Sequence, residues 1–228
     1  MPRREGTATV IPLVKGVLIA YPTSLLQPLV DVVLFQFNPE ELTRSIEIPP
    51  RPAGAGAREI NQAGDVPVER ITFTAQFTAD DRALDPTLTH AIGIGPQLAA
   101  LEKLVRPKGP LSDLLAQGLD ALGNLLSGEA PSQPIPRESY PRILFVWGGT
   151  RILPVTIDQM QITEQQYDAL LNPIRASVNL TLTVIVPDPS SKDLIAQGAS
   201  TFTESAKEVM ARANLAQTIN QVRDLIPF

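Results

Sequence analysis

Residues 174–186 read Ile-Arg-Ala-Ser-Val-Asn-Leu-Thr-Leu-Thr-Val-Ile-Val, and this stretch decides the fold. Apolar and polar side chains alternate along it, with the period of two that is typical of a β-strand with one buried and one wet face. These thirteen residues extend over roughly 43 Å at about 3.3 Å each, whereas an ordinary strand has about five or six residues. The length predicts a strand that serves two layers or extends into a neighbouring subunit.

Patterns on either side predict further strands of the same antiparallel sheet. Val68–Phe77 alternates in the same way, with Thr and Gln on its polar face. We also predict strands over Leu29–Phe37, Leu42–Ile48, 143–147 and 151–157, a first strand near Val10–Ala20, and a hairpin turn at Gly148-Gly149. Residues 162–170 show no clear period and receive no assignment.

Helical spacing predicts an insertion at 97–127 and a C-terminal helix after Pro187-Asp188-Pro189. The insertion carries an apolar stripe at three- and four-residue spacing from Leu111 to Leu126. The C-terminal helix, residues 191–226, carries an Ala-rich stripe that comprises Ile195, Ala199, Phe202, Ala206, Val209, Ala213 and Ala216. Such a stripe packs either on its own domain or on a partner. The predicted organisation is a β domain at 1–187, with a Pro/Gly-rich loop at 49–67, and a helical extension at 188–228.

Composition excludes several classes of site. The 228 residues include no Cys and one His, His90. A disulfide framework, a cysteine nucleophile and a multi-His metal site within one chain are therefore ruled out. The net charge is −5 and no basic block occurs, which argues against a nucleic-acid groove or an anionic membrane patch. Charged residues make up 19%, below the roughly 25% of typical globular domains, which indicates surface that a partner covers.

The sequence shows no targeting signal that we recognise. The apolar stretch Val10–Ala20 is interrupted by Pro12, Lys15 and Gly16 and is too short to span a bilayer. No small-residue cleavage site follows it. We therefore expect a cytoplasmic chain.

Residues that often carry chemistry have structural interpretations here. His90 stands near no nucleophile motif, and adjacent residues such as Asp80-Asp81 point in different directions on extended backbone. Gly93-Ile94-Gly95 lacks the third glycine of a dinucleotide-binding turn. Trp147 is expected to be a core or interface aromatic, with a sugar-stacking platform as the alternative. We expect no catalytic residue, no metal and no cofactor.

Three motifs, together with the Val68–Phe77 strand, resemble one bacterial family in their order along the chain. Val33–Leu42 resembles an opening F-x-F-N-P-E-x-L motif, Pro141–Gly148 a P-x-x-x-F-x-W-G strand, and 172–182 a P-x-R-A strand. The family is that of the tube-initiator, or baseplate hub, proteins of contractile injection systems, which are related to phage tail hub proteins. The motif residues are the site candidates: Phe35, Phe37, Asn38, Pro39, Trp147, Gly148, Pro173, Arg175 and Ala176.

The resemblance implies a fold class of α+β, mainly β, built on an antiparallel β-barrel of the phage tail-tube type. It further implies a ring, expected to be hexameric, that joins the spike hub protein to the inner tube protein beside other baseplate subunits. Neither nucleic acid nor membrane is an expected partner, and the phage tail-like particle is expected to assemble in the bacterial cytoplasm. Many members carry a C-terminal LysM module that binds glycan. The tail after Ser191 lacks the Gly-Asp-Thr-Leu core of that module. In the third motif, Asn172 stands where the family has a Gly before the proline.

One hypothesis and two alternatives follow. The Thr/Ser/Asn face of residues 174–186 is expected to line a polar lumen. The first alternative is a main tube or tube-end subunit of the same particle, although main tube proteins usually lack so long a C-terminal extension. The second is a glycan hydrolase, which needs two carboxylates facing a cleft. Its candidate carboxylates are Glu40, Glu41, Asp80, Asp81 and Glu164.

Overall fold

The computed structural model describes residues 14–21, 31–49, 66–80, 85–106 and 140–225. Within these ranges the chain forms seven strands and three helices. The strands are β1 Val17–Tyr21, β2 Asp31–Leu34, β3 Leu42–Glu47, β4 Val68–Thr78, β5 Arg142–Trp147, β6 Arg151–Tyr167 and β7 Pro173–Val184. The helices are α1 Pro86–Ile92, α2 Gly95–Val105 and α3 Leu194–Leu225. None of the helices in the described ranges is long and apolar enough to cross a membrane.

All seven strands belong to one antiparallel sheet in the order β2-β1-β5-β6-β7-β4-β3. The expected class, α+β with mainly β structure, is confirmed. Strands β2 and β3 follow each other in the chain, yet they lie at opposite edges of the sheet. Among the described residues no ladder joins these two edges, so the sheet is not closed.

The sheet curls strongly around its apolar face. Phe35 directly follows β2 at one edge, whereas Phe73 lies on β4, five strands away. In a flat sheet with a strand spacing of about 4.8 Å they would be roughly 24 Å apart. Their ring centroids are 5.2 Å apart in an edge-to-face arrangement, and the Thr78 amide donates to Gln36 Oε1 at 2.6 Å. The residues after β2 therefore pack across the sheet onto β4.

The core lies on the concave face and follows the alternation expected from the sequence. Every second residue of β7 is fully buried: Ala176, Val178, Leu180 and Leu182. They pair with Phe77, Ala75, Phe73 and Ile71 of β4, which are also buried. Leu98, Leu101 and Leu104 of α2 complete the same core. The predicted strands Val68–Phe77 and 174–186 are thus confirmed, although β7 ends at Val184.

Three differences from the predicted elements have local causes. Strand β6 continues to Tyr167 through the stretch that received no assignment. Bulges near Asp158 and Gln165 break the period of two there, so the sequence pattern did not reveal the strand. Helix α1 was not predicted; its seven residues are started by Asp85, whose carboxylate accepts from the Thr87 amide. The strand predicted over Leu29–Phe37 is confirmed only at Asp31–Leu34. Helix α2 covers the described part of the predicted insertion at 97–127, and the stripe from Leu111 to Leu126 lies outside the described ranges. Residues 50–65 of the predicted Pro/Gly-rich loop lie outside them as well.

A threonine side chain completes β6 where β7 stops. Continuing the register Val155↔Val184 would place Pro187 opposite Ile152, and proline has no N–H to offer a ladder. Instead, Thr203 Oγ1 of α3 accepts from the Ile152 amide at 2.9 Å and donates to the Ile152 carbonyl at 2.7 Å. A hydroxyl serves both roles, so one fully buried side chain replaces a pair of strand hydrogen bonds.

The start of α3 is tied to β1 and β5 through Asp193. Its Oδ2 accepts from the Tyr21 hydroxyl at 3.0 Å and lies 3.1 Å from Arg142, while its Oδ1 accepts from the Ala196 amide. Burial, and then this hydrogen bond, raise the pKa of Tyr21 above its usual value. Beyond Lys207 the helix leaves the sheet, and residues 208–217 are all exposed. In the predicted stripe Ala199 is buried and Ile195 and Ala206 are half-buried, whereas Phe202, Val209, Ala213 and Ala216 are exposed.

Candidate functional site

The convex face of the sheet carries a broad field of small polar side chains, which we call the polar face. Cross-strand pairing aligns them in rows, such as Gln161–Asn179–Thr74 and Gln159–Thr181–Thr72–Thr43. Its members are Thr43, Ser45, Glu47, Arg70, Thr72, Thr74, Gln76, Thr156, Asp158, Gln159, Gln161, Thr163, Arg175, Ser177, Asn179, Thr181 and Thr183. The face therefore spans four strands and is made almost wholly of hydroxyls and amides.

The few charges on the polar face are engaged locally or stand at its end. Arg70 contacts Glu47 at 2.8 Å, and Asp158 accepts from the hydroxyls of Thr156 and Thr183. Two pairs of uncharged members bond to each other: the Thr72 and Thr181 hydroxyls are 3.4 Å apart, and Asn179 Nδ2 donates to Thr74 Oγ1 at 3.3 Å. With few charges, such a surface produces little long-range electrostatic field.

A cleft of about 670 Å³ opens where the polar face meets the turn between β2 and β3. One wall is the turn, residues 37–41. The other wall is polar sheet, and the lining residues there include Thr43, Thr72, Thr74, Gln76 and Asn179. Glu40 and Glu41 both stand on the turn, and no carboxylate belongs to the sheet wall among the lining residues that the structure describes.

The residues of the first motif divide between folding and surface. Phe35 is fully buried against Phe73, whereas Phe37 is 49% exposed and lines the cleft together with Pro39. Asn38 ties the chain before β1 to the turn, since its Oδ1 accepts from the Gly16 amide at 3.0 Å and its Nδ2 donates to the Val14 carbonyl at 2.9 Å. Within this motif, Phe35 thus packs in the core, Phe37 is half exposed at the cleft, and Asn38 bonds to the backbone before β1.

Removing the two hydrogen bonds of the Asn38 side chain is expected to loosen the chain before β1. Asn38→Ala deletes both hydrogen bonds and should cost about 1–2 kcal/mol of unfolding free energy, at about 1 kcal/mol each. Urea unfolding measures the cost, and amide exchange at Gly16 should accelerate. Asn179→Ala is the matched control, because Asn179 lines the same cleft but bonds to Thr74. Unchanged exchange at Gly16 would contradict the assignment.

The second motif lies at the same end of the molecule as the first. Trp147 stacks on Phe145, with ring centroids 5.7 Å apart, and lies 6.4 Å from Phe73. A Cβ on Gly16 would lie 2.6 Å from Cε3 of this indole. Gly148 has φ 67° in the β5–β6 turn, the left-handed conformation that favours glycine. Trp147 is thus a half-buried extension of the aromatic core, and the predicted hairpin turn is confirmed.

The third motif lies at the far end of β6 and β7. Ala176 is fully buried opposite Phe77, and Arg175 is exposed on the polar face. The Pro173 carbonyl accepts from the Ile94 amide at 2.8 Å, so Pro173 anchors the junction of α1 and α2. The nine motif residues therefore do not meet in one site: Trp147 and Gly148 lie at the β5–β6 turn, whereas Pro173, Arg175 and Ala176 lie where β7 begins, beside the β6–β7 hairpin tip.

The β6–β7 hairpin tip is held rigidly by two side chains. Asp168 Oδ1 accepts from the amides of Leu170 and Asn172, and Asn172 Nδ2 donates to Asp168 Oδ2 and to the Ala91 carbonyl. Leu171 has φ 64°, which is uncommon for a residue with a branched side chain. Leu170 and Leu171 are 77% and 78% exposed. The sequence prediction missed this apolar tip, although the Leu-Leu-Asn-Pro run before β7 is its signal.

The hairpin tip predicts a pH-dependent contribution to stability. The side-chain amide of Asn172, followed by its backbone amide, lowers the pKa of Asp168. Because the folded-state pKa is below the unfolded one, the contribution is present above about pH 4 and is lost as the pH falls through the folded pKa. Asn172→Ala should raise the Asp168 pKa, as followed by carboxyl NMR titration. The pKa of Asp188, lowered by Ser190, is the internal reference and should not move.

The other candidate residues that the structure describes lie on three different elements. His90 is exposed on α1, Asp80 stands in the turn after β4, and Glu164 accepts from the Tyr167 hydroxyl at 2.9 Å. Asp81 lies outside the described residues. Within the described part of the chain no three His, Asp or Glu side chains are grouped so that they would hold a metal ion.

Comparison with models of known protein families finds none that matches the chain. Comparison with curated proteins likewise finds no match.

Proposed function

We propose that the chain is a structural ring subunit of a contractile injection particle, the adaptor that joins the spike hub to the inner tube. The observation that carries this proposal is the polar face. Four strands present Thr, Ser, Asn and Gln with few charges, and the opposite face of the same strands forms the core. A channel wall through which a polypeptide cargo slides needs such a surface, since charges or apolar patches would retain the cargo.

The shape of the sheet supports a ring-forming barrel of the phage tail-tube type. The sheet already curls far enough to bring Phe35 onto Phe73, and its edge strands β2 and β3 each have a ladder on one side among the described residues. Unpaired edges are hazards in a free monomer, and closure or a neighbouring subunit removes them. We infer that six copies do so around the lumen.

The remaining exposed apolar groups support contacts with other subunits. Leu170 and Leu171 form the β6–β7 hairpin tip, and Phe37 lies beside the cleft. A ring that joins two different assemblies needs two such surfaces, here for the spike hub protein and the inner tube protein. Assembly in the bacterial cytoplasm, beside other baseplate subunits, belongs to the same proposal.

The test combines imaging with cysteine labelling of assembled protein. We expect end-on electron micrographs of the purified chain to show rings with a central hole. Thr74→Cys, on the polar face, should react in these rings with a small maleimide but not with a maleimide carried on a polymer wider than the hole. Val209→Cys, on the exposed part of α3, should react with both reagents and is the matched control, because the native chain has no Cys.

Two outcomes contradict the proposal. A clean monomer at high concentration by light scattering argues against ring assembly. Rings in which Thr74→Cys reacts with neither reagent place the polar face in a subunit interface, which removes the lumen. A main tube or tube-end subunit gives the same rings, and it is distinguished by rings that stack into long tubes without other proteins.

We propose that the chain is not an enzyme. A glycan hydrolase needs carboxylates on both sides of the bond that it cleaves, whereas Glu40 and Glu41 share one turn and face a wall of hydroxyls and amides in the described cleft. Zymography on peptidoglycan tests this directly. Clearing that disappears with Glu41→Gln would overturn the proposal.

A further inference from the structure

We propose that α3 is a detachable arm, which a latch of polar contacts holds on the sheet and which opens as a unit while the sheet stays folded. The latch comprises Thr203, Asp193 and Gln197 with their partners. This inference goes beyond the proposed ring and concerns the isolated chain alone.

The latch occupies only the first part of the helix. Gln197 Nε2 donates to the carbonyls of Asp188, Pro189 and Ser191, and Thr203 bonds both backbone groups of Ile152. Together with Asp193 on Tyr21 and Arg142, these contacts end at residue 203. Farther along the helix, a long ion pair of 3.9 Å joins Lys207 Nζ to Glu69 Oε2 of β4.

Little apolar surface secures the arm. Ala196 and Ala199 are its buried apolar residues in the described part, and Ile195 and Ala206 are half-buried. Leu194, Phe202, Val209 and Met210 are exposed. Burial of large side chains is what normally makes a docked helix inseparable from its domain. A helix held by two buried alanines, a half-buried isoleucine and a few hydrogen bonds is separable at a smaller cost.

Opening would leave the sheet almost intact. The buried arm residues Ala196, Ala199 and Thr203 are not members of the hydrophobic core cluster. The β6–β7 pairing ends at Val155↔Val184, followed by one hydrogen bond from the Ile185 amide to the Pro154 carbonyl. Opening leaves the amide and carbonyl of Ile152 without their Thr203 partner, because Pro187 takes the place of a pairing residue there. It also separates Asp193 from Tyr21 and Arg142. The arm therefore covers the end of β6 at Ile152.

Native-state hydrogen exchange of the full chain tests the arm directly. We expect the Ile152 amide, which bonds to Thr203, to exchange together with the α3 amides of residues 197–206. Both should exchange at least tenfold faster than the amides of Val178 and Leu180 in the centre of β7. Exchange of Ile152 at the β7 rate would overturn the inference, because the latch would then open only with global unfolding.

Variants of the latch supply the second readout. Spin labels on Ala213→Cys and Thr163→Cys, both exposed in a chain without native Cys, report the distance between the outer helix and β6. Thr203→Val should raise the fraction of a second, broad distance population about tenfold, whereas Thr203→Ser keeps the hydroxyl and the wild-type distribution.

A further latch variant separates arm opening from misfolding. Gln197 bonds to the loop that joins β7 to α3. Gln197→Ala frees this loop, so it should shift the distances in the same direction even if Thr203→Val fails to fold. Unaltered distances in Gln197→Ala and in a folded Thr203→Val would overturn the inference. Failure of ring assembly would not affect this result, because every measurement uses the isolated chain.

Discussion

Phe35→Ala is expected to lower the unfolding free energy by about 4 kcal/mol, the typical cost of truncating a buried phenylalanine. The ring is fully buried, and it is the contact through which the residues after β2 reach Phe73 across the curled sheet. Its loss removes one ring from the aromatic cluster in which Phe73 contacts Phe35, Phe145 and Trp147. For a chain of this size the midpoint of thermal unfolding should fall by roughly 12 °C. Calorimetry and urea titration measure the effect.

Phe37→Ala is the matched control for this substitution. It stands two residues away in the same motif but is half exposed at the cleft, so truncation should cost about 0.5 kcal/mol or less. Its effect is expected instead on subunit contacts, as a higher protein concentration needed for ring formation. Equal destabilisation by the two substitutions would refute the division between a folding and a surface aromatic.

Gly93→Ala is the second substitution with a large expected effect, about 3 kcal/mol or more, because the strain of a disallowed backbone conformation alone reaches about 3 kcal/mol. Gly93 has φ 59° at the end of α1, and a Cβ there would lie 2.1 Å from the Pro173 carbonyl oxygen. That oxygen accepts the Ile94 amide and belongs to the backbone, so it cannot move aside as a flexible side chain would. Helices α1 and α2 should separate from the β6–β7 hairpin.

Gly95→Ala, two residues along, controls for the loss of glycine itself. A Cβ on Gly95 meets no atom within 4 Å, and the residue opens α2 without a left-handed φ. Its unfolding free energy should stay the same or rise by up to about 1 kcal/mol. Thermal unfolding of both variants, with near-ultraviolet circular dichroism of Trp147, measures the contrast. A Gly93→Ala protein as stable as the wild type would disprove the close contact with Pro173.

The sequence was sufficient to predict those parts of the fold in which one physical rule acts alone. Apolar and polar residues alternate in β4 and β7 because one face of each strand packs in the core and the other faces solvent. The pattern of burial is therefore visible in the sequence. The Gly148-Gly149 turn was predictable because a positive φ demands glycine. Helix α3 followed from Pro187 and from helical spacing, although the spacing did not reveal that its outer part leaves the sheet.

Other features depend on contacts that no local pattern encodes. Bulges in β6 shift its side chains between faces, so alternation fails where pairing persists. Thr203 is an ordinary helix residue in the sequence, and only the end of β7 opposite Ile152 makes it a strand partner. The polar side was predicted for β4 and β7 from their alternation, but its extension over β3 and β6 needed the strand order. The motif residues were named together, yet the sheet separates those at the β5–β6 turn from those that begin β7.

The strand order also bears on how quickly the chain reaches its fold. Leu18 pairs with Phe145 and Phe73 with Leu180, so these partners lie more than a hundred residues apart in sequence. Sheets dominated by such distant pairings fold in milliseconds to seconds, because long loops close before contacts form. Since β2 and β3 are consecutive in the chain but belong to opposite edges, a premature hairpin between them is a natural kinetic trap. We therefore expect slow folding, and stopped-flow refolding of Trp147 fluorescence measures it.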